Sequence, residues 1–143
     1  MVDAKMFSNA VWSGDFTAVD ALLAAGADIN AADPPRWPPI YLALEQMWVG
    51  IVRRLIEAGA DVNQPVEERW TPLSHAIDID SDSASQVGKT PNEVTTAMTE
   101  LLLGAGAVPT VEALDLCRHY RNHKAEALLI HYEACAKSCY QEK

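Results

Sequence analysis

The chain has no apolar run long enough to span a membrane, and its first dozen residues, which carry Asp3, lack the apolar core of a secretory signal. Insertion into a bilayer and export by that route are not expected, which leaves the cytoplasm as the expected location. Cysteine is scarce: there are three, all beyond position 116, an odd set that fits reduced thiols better than a disulfide framework. Basic residues are scarce too, with 11 Lys and Arg against 20 Asp and Glu for a net charge of −9. Residues 1–110 hold the whole excess, 15 acids against 6 bases, and the remainder is balanced. Phosphate recognition needs a basic surface, so nucleic acid is not an expected partner. An acidic surface speeds the encounter with a basic protein, although the same charge also serves solubility alone. Disorder is excluded by a hydrophobic content of 49%, and the length of 143 residues fits one domain.

What the sequence does have is a phrase that recurs. Ala25-Gly26-Ala27-Asp28-Ile29-Asn30 returns as Ala58-Gly59-Ala60-Asp61-Val62-Asn63, with the glycines 33 residues apart. A weaker third copy, Gly104-Ala105-Gly106-Ala107-Val108, ends the run Leu101-Leu102-Leu103, its glycine 47 residues on, one period plus 14. Each copy follows an apolar helical stripe. Glycine there can adopt the left-handed backbone that closes a helix, and Asp and Asn just beyond can bond back to the local chain. Self-similarity at this period is the mark of a solenoid.

The helical stripes follow in order. Met6 to Ser13 reads as a short helix with Met6, Phe7, Ala10 and Val11 inward, broken at Ser13-Gly14-Asp15. Asp15 is a suitable N-cap for a second helix from Phe16 to Ala25, in which Phe16, Val19, Leu22 and Leu23 keep a helical period. Pro39 opens the next helix through Ile40, Leu42, Ala43 and Leu44, and Ile51, Val52, Leu55 and Ile56 build its mate, closed by Gly59. The turns Arg36-Trp37-Pro38-Pro39-Ile40 and Arg69-Trp70-Thr71-Pro72-Leu73 are again 33 apart, a second landmark with the same period.

Thr71-Pro72-Leu73 at a helix start, a Leu-rich second helix and a closing Gly-Ala-Asp-Val-Asn resemble the ankyrin repeat. The resemblance implies an all-α ankyrin solenoid of four helix-pair repeats, at roughly 2–34, 35–67, 68–110 and 111–143. The fourth keeps helical periodicity (Leu114, Leu116, Cys117, then Ala125, Leu128, Leu129) without either landmark, as suits a polar cap, and the two capping ends imply a complete array. The family's histidine two residues after the helix-opening proline is replaced by Tyr41 and Ser74, which leaves the usual turn-bracing hydrogen bond without its histidine. The third repeat carries the 14 extra residues, expected as a loop between its helices at roughly Asp80 to Val94, with Pro91-Asn92-Glu93 leading into the second helix.

Chemistry is sparse. Ser83 to Thr90 ends Gly88-Lys89-Thr90 like a phosphate-binding loop, but Ser83 replaces the first glycine and the repeat frame leaves no room for the required strand. Asp78-x-Asp80-x-Asp82 imitates the start of a calcium loop, but Ser83 and Lys89 replace its glycine and its bidentate Glu. His131, Cys135 and Cys139, spaced i, i+4, i+8, with Cys117, His119 and His123 from the helix before, raise a zinc site as an alternative. No Cys-x-x-Cys pair accompanies them, and the competing reading puts Cys117 and Cys135 in the core with the rest on a capping helix. No nucleophile with a partnered base stands out, so neither an enzyme nor a cofactor is expected.

The remaining resource is surface. The resemblance implies a concave face made by turn tips and first helices, which maps onto Trp12, Ser13, Arg36, Trp37, Glu45, Gln46, Trp48, Arg69, Trp70, Asp78 and Asp80. All four tryptophans fall in this set, and Trp and Arg are enriched among residues that dominate binding energy. Trp37 and Trp70, at repeating positions, fit stacking between successive turns equally well. The expected function is therefore binding of another protein, basic in character. Small acidic ankyrin proteins look similar to bacterial immunity or antitoxin inhibitors, with a generic adaptor or scaffold as the other reading. Oligomeric state is left open.

Overall fold

The structure, a computed structural model, describes residues 2–86 and 95–141, and for 83–86 and 136–141 the backbone alone. Among the described residues eight helices form four successive pairs. These are α1 (Ala4–Ser13) with α2 (Phe16–Ala24), α3 (Pro39–Glu45) with α4 (Val49–Glu57), α5 (Pro72–Gln86) with α6 (Ala97–Gly104), and α7 (Val111–His119) with α8 (His123–Gln141). The first helices α1, α3, α5 and α7 stack in chain order, and the second helices make another row behind them. The first row packs more closely than the second.

Local chemistry sets the helix ends. Asp15 caps α2 by accepting the Ala18 N–H at 3.0 Å, and Thr110 caps α7 through the Ala113 N–H at 3.1 Å. At the other ends Gly26, Gly59 and Gly106 take φ values of 92°, 96° and 100°, the left-handed backbone expected of them. The residue after each glycine donates back to the last turn: Ala27 to Leu22, Ala60 to Leu55 and Ala107 to Leu102, at 2.9–3.0 Å. The enclosed core runs along the stack through Phe7, Val11, Val19, Tyr41, Leu44, Leu55, Leu73, Ile77, Met98, Leu102 and Leu129.

The Asp-x-Asn ends of the recurring phrase act in two directions. Asp28 and Asp61 accept the N–H of Asn30 and Asn63 within their own turns, at 3.0 and 2.9 Å. The asparagines reach forward instead: Asn30 Oδ1 accepts the Asp61 N–H at 2.9 Å, and Asn63 Oδ1 accepts the Val108 N–H at 2.8 Å. A ladder of side-chain bonds thus ties each turn to the next. Tyr41, in place of the missing histidine, braces a turn after all. Its hydroxyl lies 2.7 Å from the Gln64 carbonyl and 2.9 Å from that of Trp70, with one proton to share between them. Burial pushes its pKa up and keeps the hydroxyl a donor.

Two expectations fail here. Met6 points outward, 53% exposed, because it lies about 100° around α1 from Phe7, outside the sector that α2 and α3 cover. Phe16, in the first turn of α2, is exposed as well. The second failure is larger. Residues 80–86, expected as loop, continue α5. Ser and Asp are indifferent helix formers, but Ile79 to Gln86 contains no glycine or proline, and tertiary contacts decide the matter. The Tyr120 hydroxyl donates to Asp78 Oδ1 at 2.7 Å, and Asn122 Nδ2 to Ser81 Oγ at 3.2 Å, so the last helix pair holds the extension. Pro91-Asn92-Glu93 and Gly88-Lys89-Thr90 lie outside the described residues.

Candidate functional site

Two hollows indent the side of the first helices, each against one turn. The first, about 480 Å³, is lined by Trp12, Pro35, Arg36, Trp37, Leu42, Glu45 and His75. α1 supplies Trp12, the turn before α3 supplies Pro35 to Trp37, α3 supplies Leu42 and Glu45, and α5 supplies His75. Arg36 is steadied by donating from Nη1 to Asn9 Oδ1 at 2.7 Å. Trp37 stands edge-on to both Tyr41 and His75, with ring centroids 5.4 Å apart in each case.

The second hollow, about 640 Å³, is lined by Glu67, Glu68, Arg69, Trp70, Glu112, Asp115, Leu116 and His119. Its turn is closed by a short antiparallel bridge, with Val66 N–H to Trp70 O at 2.8 Å and Trp70 N–H to Val66 O at 3.2 Å. Glu67 and Glu68 stand exposed at the tip. Arg69 reaches Glu112 at 3.2 Å. Glu112 is held below the usual carboxylate range by its own backbone N–H and by Arg69. Arg69 partners Glu112 and Arg118 lies 3.8 Å from Asp115, so Glu67 and Glu68 supply the excess negative charge around the Trp70 and Leu116 surface.

His75 connects the two. The Trp70 indole N–H donates to His75 Nδ1 at 3.1 Å, and the His75 ring lies 5.4 Å from Trp37 and Tyr41. Burial lowers the His75 pKa, with Asp78 opposing weakly, so the ring is held neutral. Both structural stacking and a place in a hollow therefore apply to Trp37 and Trp70.

Of the residues expected on the concave face, Trp12, Arg36, Trp37 and Glu45 line the first hollow, and Arg69 and Trp70 the second. Gln46 lines neither and is half-buried at the C-cap of α3; Ser13 is exposed at the end of α1. Three expected residues are elsewhere. Trp48 lies over the α1–α2 turn, its ring against Gly14 and its Nε1–H donating to the Trp12 carbonyl at 3.2 Å. Asp78 is engaged by Tyr120, and Asp80 is 1% exposed with neither carboxylate oxygen partnered among the described residues. A buried carboxylate cannot present charge to a partner; burial pushes the Asp80 pKa up to about 7. The acids that line the hollows are Glu45 in the first and Glu67, Glu68, Glu112 and Asp115 in the second. Glu67 and Glu68 were legible as the turn residues just before Arg69-Trp70, whereas Glu112 and Asp115 needed the placement of α7.

The C-terminal histidines and cysteines do not converge among the described residues, where no group of three metal-capable side chains occurs. Cys117 is in the core, where burial pushes its thiol up to about 11. Cys135 is exposed, contrary to the core reading, and lies 3.7 Å from His131 one turn away. The Cys139 side chain lies outside the described residues. No helix of the described residues is long and apolar enough to cross a membrane. A family model of ankyrin repeats, in three copies, matches residues 7–86, more than half of the chain. No curated protein matches it.

Proposed function

The chain belongs to the ankyrin-repeat family, and on that premise we propose that its concave face holds a basic protein. Ankyrin repeats make the chain a protein–protein interaction module, of a kind that is typically not enzymatic. The observation that carries the finer reading is the Trp70 hollow: an apolar patch of indole and leucine ringed by Glu67, Glu68, Glu112 and Asp115. A lysine or arginine stem covers apolar surface while its charged head meets carboxylates, so the hollow suits a long basic side chain. The four units at 2–34, 35–67, 68–110 and 111–143 act in this reading as one binding domain in the cytoplasm. Covering a basic surface is also how a small acidic protein neutralises an enzyme that acts on nucleic acid, the immunity-type role that the resemblance implies.

The test is affinity capture from the native host by the immobilised chain, run beside Trp70→Ala and Glu67→Lys/Glu68→Lys. A basic protein retained by the native chain, lost at high salt and lost by both variants supports the proposal. A captured protein that is acidic, or is held equally by folded variants, overturns it.

A further inference from the structure

Each hollow is entered by an arginine that stands just before a tryptophan, and the two arginines are used differently. Arg36 donates back to Asn9 on α1 at 2.7 Å, whereas Arg69 reaches forward to Glu112 at the start of α7, at 3.2 Å. We propose that Arg69 is the chain's own occupant of the Trp70 hollow, and that an arginine of the partner takes its place on Glu112. The proposal rests on the protein-binding reading above and names the side chain that this hollow selects.

Both members of the pair are within a partner's reach. The Arg69 side chain is 81% exposed and that of Glu112 is 40% exposed, and both line the hollow. At 3.2 Å the contact is looser than a well-made charge-assisted bond of about 2.8 Å. An exposed pair of this kind contributes little, so releasing it costs little. The turn that carries Arg69 does not depend on it, because the Val66–Trp70 bridge closes that turn through the backbone. Glu112 is the more fixed partner. It stands in the first turn of α7 behind the Thr110 cap, where its own backbone N–H helps to keep the carboxylate ionised. Arg69 can therefore leave while the carboxylate stays in place.

The surroundings select the head that replaces it. With Arg69 moved off, Glu112 joins Glu67 and Glu68 in the negative excess around the Trp70 and Leu116 surface. A partner acid would meet that excess with the displaced guanidinium alone to offset it. A lysine head is a compact, strongly hydrated point charge. A guanidinium is planar and more weakly hydrated, and it stacks on an indole while it bonds a carboxylate. Arg69 already brings a guanidinium to Glu112 from the position next to Trp70.

The test uses acetyl-Gly-Arg-Gly-amide and its lysine counterpart as probes of the whole chain, read by NMR of the Trp70 indole and of the ¹³C-labelled Glu112 carboxylate. Arg69→Gln should tighten binding of the arginine probe roughly two- to fivefold, the scale of one exposed ion pair no longer to be broken. Because Arg69 helps to hold Glu112 low, the same variant should move the Glu112 titration up, and saturating arginine probe should bring it back down. With Glu112→Gln in the same chain, the gain in affinity should vanish. The native chain should prefer the arginine probe to the lysine probe, a comparison that stands without either variant. Equal affinity for the two probes, or an arginine probe bound no tighter by Arg69→Gln, overturns the proposal. So does a basic protein captured by the native chain and released by Arg69→Gln, since Arg69 would then be holding a partner acid. That last result leaves the protein-binding reading intact.

Discussion

Asn63 and Val108 are 45 residues apart in the chain and 2.8 Å apart in space, with the Asn63 side-chain oxygen accepting the Val108 N–H. Its Nδ2 donates to the Gly106 carbonyl at 3.1 Å, so one side chain holds both faces of the next turn. The equivalent bond at Asn30 spans only 31 residues. The extra 14 residues between the turns are therefore absorbed without breaking the ladder, because they lengthen a helix and its connection and leave the turn end of the repeat alone.

Asn63→Ala is expected to lower unfolding free energy by about 1–2 kcal/mol, more than a typical exposed substitution, since two hydrogen bonds go together. Urea unfolding measures it. An unchanged midpoint would mean that water replaces both bonds at no cost.

Gly59 and Gly14 should respond differently to a side chain. Nothing lies within 4 Å of a Cβ at Gly59, so Gly59→Val meets backbone strain at φ 96° and should cost more than the roughly 1–2 kcal/mol handedness penalty. A Cβ at Gly14 would lie 2.6 Å from Trp48 Cε2. Gly14→Ala should therefore carry a clash on top of strain, and Trp48→Ala in the same chain should relieve part of it. Additive losses in the double mutant would show that the ring simply swings away.

Asp80 should make stability fall with rising pH. Its folded pKa, about 7, lies above the ordinary 3.8, so the folded state keeps a proton that the unfolded chain releases. The penalty is absent below the unfolded value, grows as pH rises toward about 7 and is constant above it. Asp80→Asn removes that slope, and its advantage over the native chain should widen by up to roughly 4 kcal/mol across the window. His75 acts in the opposite sense: its lowered pKa makes stability full above the ordinary 6.5 and lost as pH falls below it. Taking the difference between the Asp80 variant and the native chain cancels the histidine. A difference that is flat with pH would show that Asp80 is ionised in the folded state.

Binding kinetics should separate anchors from steering charge. Trp70→Ala should speed dissociation of a basic partner, at a cost of about 2 kcal/mol or more if the indole is an anchor. Glu67→Lys with Glu68→Lys should slow association and flatten its salt dependence. Trp48→Ala should change stability and leave both rates alone, because that ring is spent on Gly14 and lies off the hollows. Unequal effects in the reverse pattern, read by surface plasmon resonance on folded variants, would move the interface to the α1–α2 end.

The parts of the fold that were legible are those with local chemistry repeated at a fixed interval. Gly26, Gly59 and Gly106 announce helix ends because only the backbone at those positions decides the matter. The α5 extension was not legible, because Ser and Asp there look like loop until Tyr120 and Asn122, about 40 residues on, engage them. Asp80 misled for the same reason: its exposure depends on what lies over it, which no local pattern records. The tryptophans were found as a set, but only three-dimensional placement separates Trp48, packed on a glycine, from Trp12 and Trp37.

The side-chain ladder also has an end. Where a third asparagine would stand, the chain has Thr110, which turns inward to cap α7. The last helix pair is fastened instead at the end of α7 away from the turns, through Tyr120 to Asp78 and Asn122 to Ser81 on the lengthened α5, with the exposed Arg69–Glu112 ion pair as a turn-side tie. Viewed as a one-dimensional chain of neighbouring units, the protein therefore has two like couplings and one unlike. Exposed ion pairs contribute little, so the turn-side seam beside α7 lacks the support that the asparagine ladder gives the other two. Local opening should start there, with the last pair swinging about the clasp on α5 while the first three units hold their register.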